Sequence, residues 1–171
     1  IQFIEATYNA ANFDTIARRF FDVTNQLELN CALMFQTRSG RLFFSSKSTV
    51  SPLEKEVIET LYDVGNRFND FGCRTQINYS RVGLLVKNMP IREPEKYGRI
   101  KDLLPTLLSS ANVRIHSLYE EQRIKEQTNL MTRSIETLQP LIEEVIHAMK
   151  KDNRDHRNAL SVFLQRIIVA L

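Results

Sequence analysis

From Pro94 to Lys150 apolar residues recur at steps of three and four, and no glycine-rich or multi-proline segment intervenes. Such spacing puts them on one stripe of an α-helix. A helix that long exceeds what one small core can cover, so the chain must combine a packed domain with a helical extension. Within the stretch, Tyr97, Leu104, Ala111 and Leu118 fall seven apart, joined by Ile100, Leu107, Leu108 and Ile115. Pro105 lacks an N–H and crowds the preceding turn, so a kink or break is expected there.

Beyond Leu118 the stripe re-registers. Ile124, Met131, Leu138 and Val145 repeat every seven residues, and so do Thr128, Ile135, Ile142 and Met149. The alternating steps of four and three make the second set the a positions and the first the d positions of a heptad. Isoleucine at a with leucine at d is favoured in parallel two-stranded coiled coils. These eight residues are the expected interface of a homodimer. Early flanking positions are polar (Lys125, Gln127, Thr132, Ser134, Gln139), whereas later ones are apolar (Leu141, Ile146, Ala148). A wider apolar face asks for a further helix. Leu160, Phe163, Leu164, Ile167, Ile168 and Leu171 offer one, with Lys150 to Arg157 as the expected turn of a C-terminal helical hairpin.

The first half reads as mixed α and β. Phe13, Ile16, Ala17, Phe20, Phe21, Thr24 and Leu27 predict an amphipathic helix, which Asn12 can cap. At Cys31 the period changes to two. Cys31, Leu33 and Phe35 point one way and Ala32 and Met34 the other, so both faces are apolar and the strand is central. Thr37 to Gly40 is a turn into a second strand, Arg41 to Ser45. Ser51-Pro52-Leu53-Glu54 carries a serine cap, a proline at the first helical position and a glutamate to close a capping box. Arg74 to Tyr79 and Val82 to Lys87 predict two more strands, and Asn88 to Pro94 a loop.

The charge is nearly balanced, with 23 basic and 20 acidic residues. The basic tract at 150–157 is interrupted by Asp152 and Asp155, which suits a solvated segment better than a nucleic-acid footprint. No apolar run approaches the ~20 residues of a bilayer span, and no signal pattern opens the chain. Neither nucleic acid nor a membrane is therefore expected as a partner, and the location is expected to be cytoplasmic. The first residue, Ile1, and the end at Leu171 suggest a piece of a longer protein. Cys31 and Cys73 stand apart, outside any C-x-x-C pair, and are expected to be buried free thiols. Motifs for a phosphate loop, a nucleophile elbow or a zinc site are missing, so no enzyme, metal or cofactor is expected. His116 lies on a helix as a structural residue. His147 and His156 are the two candidate phosphoacceptors, since signalling bundles carry phosphoryl groups on helix histidines; a phosphorelay protein is the alternative function. Glu120-Glu121 and Glu143-Glu144 read as solvated helix faces.

Leu29-Asn30-Cys31-Ala32-Leu33 after Phe20-Phe21, then Ser51-Pro52-Leu53-Glu54, then Asn78-Tyr79-Ser80-Arg81-Val82-Gly83-Leu84-Leu85-Val86-Lys87-Asn88-Met89-Pro90, resemble a compact GAF-like region found after receiver domains in bacterial response regulators. The resemblance covers roughly residues 12 to 122. It implies an α+β fold, an antiparallel sheet of five or six strands flanked by helices, with terminal helices pairing in a dimer. It also implies receiver or output domains as partners and a role in two-component signal transduction. The expected organisation is a GAF-like domain at 1–122, a coiled-coil signalling helix at 123–150, and a turn and helix at 151–171.

Overall fold

The computed structural model describes residue 5, residues 7–47 and residues 49–169. Its elements run α1 (Phe13–Gln26), β1 (Cys31–Thr37), β2 (Gly40–Ser45), α2 (Pro52–Asp63), β3 (Phe68–Phe71), β4 (Arg74–Asn78), β5 (Val82–Val86) and α3 (Pro94–Val169). The chain divides into two units, Ile1–Arg123 and Ile124–Leu171. In the first, five strands form one antiparallel sheet in the order β2-β1-β5-β4-β3. The fold class is α+β.

The sheet is covered on both faces, and the alternation of β1 decides what lies where. Cys31, Leu33 and Phe35 join Ile77, Val82, Leu84 and Val86 in a core shared with α1 and the first turns of α3. Phe13, Ile16, Ala17, Phe20 and Phe21 enter from α1; Ile100, Leu104, Leu107, Leu108, Ala111, Ile115 and Leu118 enter from α3. Ala32, Met34 and Leu85 face the other way, onto Ile58 of α2. Two-sided burial explains why β1 and β5 carry no exposed side chain. The helix continues through Pro105, where the Tyr79 hydroxyl donates to the proline carbonyl at 3.0 Å.

Local signals place the helix starts. Asn12 accepts from the Thr15 N–H at 2.9 Å, and Ser51 and Glu54 make the reciprocal capping box. Glu54 adds a 2.8 Å ion pair with Lys87 on the sheet side, so the cap also pins α2 to the end of β5. Gly83 lets α2 approach closely: a Cβ there would stand 3.3 Å from Asn78 Oδ1 and 3.5 Å from the Tyr62 ring.

Three expectations need correction. A fifth strand, β3, stands at the sheet edge, where the residue pattern by itself predicts only four strands. Cys73 is exposed, because it lies with Gly72 in the turn joining β3 to β4; Cys31 is buried. The hairpin turn at 150–157 is absent: α3 runs unbroken to Val169. That tract holds neither glycine nor proline, and its lysines, arginines and aspartates carry no strong cost inside an exposed helix. The last two residues of the expected 158–171 helix lie outside the described residues.

The core account makes two quantitative predictions. Leu84 is fully buried in the central strand, so Leu84→Ala should lower unfolding free energy by about 2–5 kcal/mol in urea titrations. Ser51→Ala should cost about 0.5–2 kcal/mol, because one donor of the first turn loses its partner. An unchanged urea midpoint in either variant would contradict the packing or the cap.

Candidate functional site

Three features of the structure could carry function: a groove beside α2, a polar layer beneath it, and the exposed stripe of α3. The groove has a volume of about 730 Å3 and lies between α2 and the edge strand β3. Leu53, Val57 and Leu61 line one wall; Phe68 and Phe71 line the other. The sheet face under α2 is filled by Ile58, so the groove sits at the helix flank and does not open into a deep cavity.

Beneath α2, two amides of β4 do work that no apolar pair could. Gln76 Nε2 donates to the Ile58 carbonyl at 2.9 Å and to Asn78 Oδ1 at 3.0 Å. Asn78 Nδ2 donates to the carbonyls of Leu61 and Asn66, each at 2.9 Å. Of the last-turn carbonyls of α2, that of Leu61 is thus satisfied from the sheet, and those of Ile58 and Asn66 are tied to it as well. The Gln76 carbonyl oxygen is buried with no partner of its own. The two polar amides at 76 and 78, on either side of Ile77 in an otherwise apolar strand, are the sequence signal for this layer.

At the other side of the sheet, two hairpin tips grip α3 just before the first unit ends. The Arg81 N–H donates to Asn112 Oδ1 at 2.9 Å, and its guanidinium stands 3.6 Å from the Tyr119 ring centre. Arg38, in the β1–β2 turn, stands 5.7 Å from the same ring. Cation–ring attraction at such distances is worth about 0.5–2 kcal/mol per pair.

In the second unit every interface residue expected from the heptad is on the helix and exposed: Ile124, Thr128, Met131, Ile135, Leu138, Ile142, Val145 and Met149. The seven apolar ones keep 53–68% of their surface in contact with solvent. Leu141 and Ile146 are exposed beside them. The histidines are exposed as well. His147 lies on the same stretch of α3, and His156 Nδ1 stands 3.7 Å from Asp152 Oδ1, beyond hydrogen-bond reach. His116 is exposed on the first part of α3.

Burial and charge set the ionisable groups. Burial pushes the Cys31 thiol up to about 12, so it is inert. The hydrogen bond from Lys87, seconded by the Ser51 N–H, holds Glu54 below the usual carboxylate range. Hydrogen bonds from Lys101 and Thr75 do the same for Asp70. Among the described residues no cluster of three or more histidine, cysteine or acidic side chains could hold a metal ion, and no helix is long and apolar enough to cross a membrane. Compared with known proteins, the chain matches no family model, no curated protein and no solved structure.

Both carboxylates are depressed on folding, so their contribution is present above the ordinary carboxylate pKa. It is lost as pH falls through the lower folded value. Urea midpoints taken between about pH 6 and about pH 3 should therefore fall. Glu54→Gln with Asp70→Asn should start lower at neutral pH and fall less steeply. Equal slopes in parent and double variant would show that these two pairs do not link folding to protonation.

Proposed function

We propose that this chain is a GAF-like signal-transduction module of a bacterial two-component response regulator, and that it works as a homodimer joined through α3. The observation that carries this reading is the stripe from Ile124 to Met149. Seven apolar residues of eight, in strict heptad order, are exposed on the helix among the described residues. Soluble proteins rarely expose so long an apolar surface, and two such stripes bury each other by knobs-into-holes packing.

The first unit supplies what a transmitter needs. A sheet covered on one face by α1 and the start of α3 resembles the GAF arrangement, in which terminal helices leave the domain toward a partner. Tyr119, held by Arg81, and Leu118, in the core, are the last residues of α3 tied to the sheet before Ile124. A displacement of the β4–β5 or β1–β2 tip, caused by a receiver domain or a ligand, would rotate or shift α3 at that point. Packed coiled coils have discrete alternative packings, so such a shift would be passed on as a switch. The module binds and transmits and carries out no reaction of its own, and its setting is the bacterial cytoplasm.

Light scattering on the purified chain tests this. The parent should have twice the chain mass at micromolar concentration. Ile135→Glu with Ile142→Glu places four carboxylates in the seam, where desolvation is costly, and should give a monomer or an aggregate. A monomeric parent across the micromolar range would overturn the proposal.

A further inference from the structure

A second cavity, of about 420 Å3, lies between the end of α2 and the β4–β5 tip, lined by Tyr62, Gly65, Arg67, Asn78, Tyr79 and Ser80. It shares no lining residue with the groove beside α2. Its two rims are tied together, because the Tyr62 hydroxyl donates to the Ser80 carbonyl at 2.7 Å. The charge inside it is Arg67. The Arg67 guanidinium donates to the Tyr79 hydroxyl, which itself donates to the Pro105 carbonyl at 3.0 Å. It also stands 4.7 Å from the Tyr79 ring centre and 5.8 Å from that of Phe68. These contacts restrain a long side chain, so its charge is in place before a ligand arrives. Among the described residues no carboxylate pairs with Arg67, and its other guanidinium N–H groups have no acceptor. The backbone N–H groups of Arg67 and Ser80 have none either. Neighbouring cations are committed elsewhere: Arg41 pairs with Asp63 and Glu59, and Arg81 lies over Tyr119.

We infer that this cavity binds a small organic monocarboxylate, with Arg67 as its anchor. A guanidinium presents parallel N–H groups that match the two oxygens of a carboxylate. One uncommitted cation balances one negative charge. A second negative charge would be opposed by the carbonyl end of α2, which carries partial negative charge beside the cavity. A doubly charged phosphate therefore suits the site less. The cavity is larger than a carboxylate group alone would fill, and the rings of Tyr62 and Tyr79 offer apolar surface to the body of the ligand. An occupant would touch Tyr79 and Ser80, the residues that tie the tip to α3. Tyr79 does so through Pro105, and Ser80 through Asn112, whose Nδ2 stands 3.3 Å from Ser80 Oγ. On the function proposed above, such an acid is the ligand to which the β4–β5 tip responds; that consequence rests on the proposed function, whereas the binding does not.

Titration of the full chain with benzoate at neutral pH, followed by amide NMR, tests the site. The Ser80 and Arg67 amide signals should shift and saturate in the millimolar range. Benzamide, of the same shape without the charge, and inorganic phosphate should both bind more weakly than benzoate. Arg67→Ala, read at Ser80, should weaken benzoate about tenfold or more, since charge-assisted bonds are lost. Arg67→Lys keeps the charge without the planar fork and should fall between the two. The remaining amide signals report that each variant stays folded. No saturable shift in the parent, equal binding of benzamide, or equal affinity in Arg67→Ala overturns the site. Tighter binding of phosphate than of benzoate overturns its assignment to a monocarboxylate. Any of these results leaves the proposed dimer standing, because light scattering reads that separately.

Discussion

An apolar stripe on a helix must be covered, and the two parts of α3 meet that demand differently. Between Tyr97 and Leu118 the stripe is buried against α1 and the sheet, within one chain. From Ile124 the same helix presents the same kind of stripe to water. Burial is worth about 25 cal/mol per Å2 of apolar surface. The first part of α3 gains it on folding, whereas the described apolar residues of the second stand exposed.

Within the first unit, hairpin tips hold α3. Arg81 and Asn112 join the β4–β5 tip to α3, and Arg81 and Arg38 flank Tyr119, one turn before the first unit ends at Arg123. Because these contacts are polar and partly solvated, they can be remade at modest cost, unlike the fully buried layer of Leu104, Leu108 and Ile115. The sheet is therefore held by a rigid core and meets this part of α3 through a polar rim. The polar pair Gln76 and Asn78 performs the complementary task on the opposite face, where it fixes the end of α2.

What the sequence revealed follows the range of the forces involved. The Asn12 and Ser51 caps and the two-faced alternation of Cys31 to Phe35 are local patterns, and the structure reproduces each. The burial of Leu33, Phe35, Leu84 and Val86 follows from the same alternation. Strand β3 is not legible, because Phe68-Asn69-Asp70-Phe71 is short, polar at its centre and held by non-local contacts, its pairing with β4 and the Lys101–Asp70 ion pair. Without β3 the turn at Gly72-Cys73 has no signal, so Cys73 reads as buried although it is exposed. The tract at 150–157 was misread because a run of charges looks like a loop, although it contains nothing that breaks a helix. The groove beside α2 and the amide layer beneath it are tertiary features with no local signature.

If the part of α3 beyond Arg123 owes its stability to a second copy, its helix must melt as an associating system. Circular dichroism at 222 nm, recorded against temperature over a hundredfold range of concentration, tests this directly. The account predicts a transition whose midpoint rises with concentration, together with a second, concentration-independent one from the sheet unit. A melting curve identical at every concentration would contradict it.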